Sequence, residues 1–232
     1  MRALFFNKHT VYLPKWWLVI IILVLMVGVT LVCARNIASY LAITQPKHAR
    51  YLVVEGWQDE YSLKQALELF QTSDYELLFT TGGPDLRHIV PKYKTYAEQS
   101  AAFFVSQGLE QHKLIIISTS ASAQDRTFLS AVMVRKWFEK YNISTHAIDV
   151  FTQGVHARRT QKLYEMAFNL NSDVGVYASK PVGYSLSAWW DTSAGAKSVI
   201  TETAGMIWVT CCFDPGKYGS HQELWGNYDK QD

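Results

Sequence analysis

Apolar and polar positions divide the chain into three regimes. Residues 16–34 (WWLVIIILVLMVGVTLVCA) run for nineteen positions without a charge. At 1.5 Å per residue this is close to the roughly 30 Å of a bilayer's hydrocarbon core. The run is apolar on every side, unlike an amphipathic core helix. Trp16 and Trp17 stand where an interfacial aromatic belt would lie, with Lys15 just outside. The pattern predicts one transmembrane helix over 16–34, preceded by a basic leader (1–15) and followed by a linker (35–50).

From Tyr51 the pattern changes to short apolar runs alternating with helically spaced ones. Strands are predicted at 51–55, 76–80, 114–117, 147–152 and 174–178. The third of these, LIII, has the continuous β-branched character of a strand buried on both faces. Helices are predicted at 59–72, 95–107, 125–141, 157–170 and 198–212, the last mostly apolar. Five such alternations predict an α/β chain: a single Rossmann-like domain over 51–213, with about five parallel strands and helices on both faces. The tail, 214–232, shows no periodicity and is expected to wrap the surface or fray.

Charge sharpens this division. Six of the 22 basic residues and none of the 20 acidic ones fall in residues 1–50, so the rest of the chain carries a net −4. A basic leader on a mildly acidic body does not fit a nucleic-acid binder, whose basic stripe belongs on the folded domain. Val32-Cys33-Ala34 offers a signal-peptidase spacing, but the apolar run exceeds an ordinary signal core, which favours an uncleaved anchor. Val32 is too large for a lipobox. Cys211 and Cys212, neighbours in one apolar helix, are not expected to bridge. The seven histidines show no metal-ligand spacing.

In an open parallel sheet, ligands bind beyond the carboxyl ends of the strands, so the residues that follow each strand carry the candidate chemistry. These are Glu55-Gly56-Trp57, Gly82-Gly83, Ser118, Asp125-Arg126-Thr127 and Gly154-Val155-His156-Ala157-Arg158-Arg159. Gly154 lets the chain turn sharply out of its strand. Two arginines in a first helical turn oppose the macrodipole, which points either to an anion held between them or to pairing with Glu165 or Asp173. His156 suits proton transfer or phosphate binding. Glu55, an acid leaving a buried strand, needs a partner, and Arg126 or Arg158 is the expected one. Asp125 reads as an N-cap or a second acid. Trp189-Trp190 reads as core or as an aromatic wall.

The ordered set Val-Val-Glu55-Gly-Trp, Thr-Thr-Gly82-Gly83, Asp125-Arg126-Thr127, Gly154-Val-His156-Ala-Arg158-Arg159 and Trp189-Trp190 behind a membrane segment resembles the ElyC/SanA/YdcF family of bacterial envelope proteins. Glu55-Gly56-Trp57 replaces a glycine-rich turn of the commoner pattern, and Asp125-Arg126-Thr127 replaces a Thr-x-x-Asn segment. The resemblance implies a single-pass inner-membrane protein with a periplasmic body, acting in cell-envelope or polysaccharide assembly. The expected ligand is a phosphorylated lipid carrier or a nucleotide-like molecule. Glu55, Asp125 and His156 would do the proton chemistry. Gly82, Gly83, Ser118, Arg126, Gly154, Arg158 and Arg159 would bind the ligand. The other reading is a non-enzymatic assembly factor whose charge cluster is structural. Neither a cofactor nor a reaction follows from the sequence.

Overall fold

A computed structural model describes residues 14–85, 92–121, 126–144, 146–169 and 172–225. The chain forms two units, Met1–Asn36 and Ile37–Asp232. Helix α1, Trp16–Leu41, is long and apolar enough to cross a membrane, and its 18-residue apolar window is unburied. It extends past the predicted span. Ala38 and Leu41 in its last turn are buried in the second unit, where the predicted linker begins as helix.

The second unit is built on five parallel strands: β1 (Tyr51–Glu55), β2 (Leu77–Gly82), β3 (Leu114–Ser118), β4 (Ala147–Thr152) and β5 (Asp173–Ala178), in the order β3-β2-β1-β4-β5. The helices are α2 (Glu60–Thr72), α3 (Tyr96–Ser106), α4 (Arg126–Lys140), α5 (Ala157–Phe168), α6 (Ser193–Cys211) and the short α7 (Gln222–Trp225). Strand side chains alternate between two cores. Leu52, Val54 and Leu78 meet Leu63 and Phe70 of α2 and Phe104 of α3. Val53, Phe79 and Val150 meet Phe128 and Phe138 of α4 and Leu163 of α5. The sheet is therefore covered on both faces, as the alternation predicted.

Helix starts are set by local capping. Asp59 accepts from the Ser62 amide at 2.7 Å, and Thr95 with Glu98 closes a capping box on α3. Two expectations change. β3 is an edge strand, so Ile116 is half exposed and the strand is not buried on both faces. Cys211 and Cys212 are joined by a disulfide at the end of α6, where the helix terminates and frees the backbone from helical geometry. The tail is also partly anchored. Glu223 of α7 is buried against Arg135 of α4.

The order of the strands decides where a ligand can sit. The chain moves outward from β1 through β2 to β3, then returns to lay β4 on the other side of β1. The switch point lies between β1 and β4, and the crevice beyond their carboxyl ends is the expected binding place.

Candidate functional site

Glu55 ends β1 and His156 ends the 3-10 turn Gly154–His156 that follows β4, so the switch point brings both to the same crevice. Gly154, at φ +40°, supplies the left-handed conformation that swings the chain from strand into turn. Arg159 lies in the first turn of α5. The crevice opens as a cleft of about 1110 Å³ lined by Glu55, Trp57, Arg126, His156, Arg159 and Glu202, with Gly82, Gly83, Tyr96 and Phe103 also on its wall.

Glu55 is 1% exposed. Its Oε2 accepts from the hydroxyls of Thr152 and, at 3.2 Å, Thr160, and lies 3.6 Å from His156 Nε2. These contacts all fall on one oxygen. The partners of this buried acid are thus two threonines and a histidine, and neither Arg126 nor Arg158 pairs with it. The Tyr164 phenol is pushed up by burial first and by the Glu55 charge second.

His156 is clamped from its other side. Its Nδ1 lies 2.9 Å from Glu202 Oε2, and Arg159 holds the same carboxylate from Nε at 2.9 Å and Nη2 at 3.2 Å. Burial works to raise the Glu202 carboxyl, but the hydrogen bond and charge of His156, then those of Arg159, outweigh it and bring it to about 2. Such a carboxylate only accepts, so Nδ1 carries the proton directed at it. Arg159 Nη2, 3.0 Å from Nδ1, then serves the Glu202 charge instead of the ring nitrogen. This fixes Nε2 as the nitrogen that takes up or releases a proton. It faces Thr127 Oγ1 at 3.3 Å and Glu55, while Trp57 packs edge-on against the ring at 5.2 Å. The arrangement is a carboxylate–imidazole–carboxylate line with one end opening on the cleft, a geometry suited to general acid–base transfer.

The other residues singled out in the sequence separate into two groups. Arg126, at the start of α4, lines the cleft and has no ion-pair partner among the described residues. Gly82 and Gly83 line it where β2 meets α3. Arg158 points elsewhere: its guanidinium stacks 3.9 Å from the Tyr40 ring centroid and donates to the Tyr40 carbonyl. Neither Arg158 nor Arg159 pairs with Glu165 or Asp173. Ser118 shares a hydrogen bond with Thr95 at 2.9 Å, outside the cleft lining, as is Gly154. Asp125 lies outside the described residues. Trp189 packs beside Val199 and Leu41, and Trp190 is half exposed; neither lines the cleft.

Glu202 has no counterpart among the residues read from the sequence. The signal available was that it is the single acid in the helix Ser193–Cys211, whose only other charge is Lys197. Thr152 and Thr160 gave none, because threonine is ordinary in a strand and unremarked in a helix. Comparison of the sequence with models of known families and with curated proteins returned no match.

Proposed function

We propose that this chain is a membrane-anchored α/β protein that binds a phosphorylated or nucleotide-like ligand in its switch-point cleft and moves a proton on it. The observation that carries the reading is the placement of Glu55 Oε2 3.6 Å from His156 Nε2 at that point, with the far side of the imidazole locked by Glu202. Glu55 is the base. His156 receives or returns the proton through Nε2. Arg126 supplies the positive charge for the ligand's anionic group, beside the Gly82–Gly83 backbone. A role in envelope or polysaccharide assembly, with an inner-membrane anchor and a periplasmic body, rests on the sequence resemblance and on α1.

Charge-assisted contacts are worth about 1.5–3 kcal/mol, so Arg126→Ala should weaken binding of an anionic ligand roughly tenfold or more. The full chain in detergent, titrated calorimetrically with adenosine diphosphate and with inorganic pyrophosphate, tests this. Equal affinity in wild type and Arg126→Ala, or no binding of either probe, counts against the phosphate assignment. Alkaline phosphatase fused after Asp232 should be active if the body is outside, and an inactive fusion sinks that orientation.

One observation favours a second reading, a non-enzymatic assembly factor: Arg159 is already spent on Glu202. In that case His156→Ala with Arg159→Ala should lower the melting temperature. Under the ligand reading, Glu55→Gln should instead remove function in cells while the protein stays folded.

A further inference from the structure

Helix α6 has two different faces. Gly195, Val199, Glu202, Met206 and Val209 recur at helical spacing and turn inward, three of them buried, with Glu202 reaching His156. The opposite stripe, Ile200, Ala204, Ile207, Trp208 and Cys211, is solvent-exposed, with Ile200 and Ile207 each 61% and Trp208 56% exposed. Only Lys197 and Glu202 are charged in the nineteen residues. A helix apolar on both faces is stable when both are covered. Other large exposed apolar residues of the body, such as Val105 and Ile116, stand apart on different elements, which is ordinary for a surface.

Chain connectivity brings the anchor close to the helix that carries this stripe. The charge-free run ends at Ala34, and Ala38, four residues later, is buried in a cluster with Leu41, Val155 and Val199 of α6. Four residues span at most about 14 Å. An anchor that crosses a bilayer therefore ends within that distance of the core on which α6 packs. The stripe also has interfacial chemistry: an indole at Trp208, branched aliphatics, and Lys197 one turn before Ile200 and Thr201. Trp190 is half exposed on the 3-10 segment Leu186–Asp191, which packs against α6.

We propose that the outer stripe of α6 lies in the lipid headgroup region, so that the body rests on the bilayer as well as being tethered to it. This rests on the membrane-anchor reading of α1. One helix then presents a membrane face outward and a site carboxylate inward.

The test uses the full chain in vesicles of phosphatidylcholine and phosphatidylglycerol that contain a photoactivatable phosphatidylcholine, followed by trypsin and mass spectrometry. Peptide 16–35 reports the anchor, 198–217 reports α6, and 114–126, from the exposed edge strand β3, is the control. Lipid label is expected on the first two and not on the third. Ile207→Glu with Trp208→Glu, both at exposed positions, should cut the label on 198–217 by about fivefold, with that on 16–35 unchanged. Label on 16–35 alone overturns the proposal, whether or not α6 crosslinks to a second copy. Label on neither peptide overturns the anchor reading with it.

Discussion

His156 Nδ1 and Glu202 Oε2 lie 2.9 Å apart, joining the turn after β4 to the middle of α6. The contact ties the position of the imidazole to a helix from a distant part of the chain. Its strength should be visible in the pH dependence of folding. The Glu202 carboxyl is held at about 2 in the folded protein, against an ordinary value of 4.5. A carboxyl whose folded value is depressed contributes stability that is complete above its unfolded value and lost as pH falls through the folded one. Here the window runs from about pH 4.5 down to 2, and about 3 kcal/mol is at stake. Thermal melts of wild type should fall through that window, while Glu202→Gln starts lower at neutral pH and falls less. Parallel curves for the two proteins would show that Glu202 is not the group responsible.

Glu55 separates chemistry from packing. Glu55→Gln keeps an oxygen for the Thr152 and Thr160 hydroxyls and removes a buried charge, so stability should change by no more than about 1 kcal/mol. Glu55→Leu leaves both hydroxyls without their acceptor and should cost about 2–4 kcal/mol. Urea denaturation of the two variants checks this. A large loss in Glu55→Gln would mean that the carboxylate's charge is itself structural.

The strands and helices were legible because their signals are local: short apolar runs and helical spacing. Glu55, Arg126 and His156 were legible as cleft residues because strand ends in a parallel sheet converge. The fate of Arg158 and Arg159 was not. Adjacent positions on a helix lie about 100° apart, so one arginine reached the cleft and the other reached Tyr40. Glu202 was hidden for a different reason: its partner sits on another element, and the approach of α6 to α5 is set by tertiary packing. The edge position of β3 was equally hidden, since strand order leaves no mark on a single strand's composition.

Gly175 of β5 should tolerate no side chain. A methyl group there would meet the Asp149 carboxylate and come within 2.6 Å of the Lys47 amide. Asp149 is fully buried and accepts from the Lys47 amide at 2.7 Å, the Ala49 amide at 3.0 Å and the Tyr75 hydroxyl at 2.8 Å. These bonds fasten the segment that leads from α1 to β1. Gly175→Ala should therefore destabilise by about 2–4 kcal/mol, through strain and lost hydrogen bonds to a buried charge. Amide exchange at Lys47 and Ala49 should accelerate in the variant. Unchanged protection at those two amides would contradict the mechanism.

Among the described residues, a buried ion pair fastens the tail beyond α6. Arg135 and Glu223 are 3% and 4% exposed and meet through two bonds of 2.8 and 2.6 Å. Arg135 also donates to the Ala167 carbonyl, and its guanidinium lies 4.2 Å from the Tyr218 ring centroid. Removing Glu223 leaves the buried guanidinium only the half-exposed Glu139, 3.2 Å from its Nε, so Glu223→Ala should cost about 2–4 kcal/mol. Replacing both with methionine removes the uncompensated charge and should cost distinctly less. Trypsin adds a second readout, because Lys217 lies in the tail between α6 and α7. In wild type the clamp should slow cleavage there, and in Glu223→Ala cleavage should precede global unfolding. Equal losses in the single and double variants, with Lys217 protected in both, would show that the pair does not hold the tail.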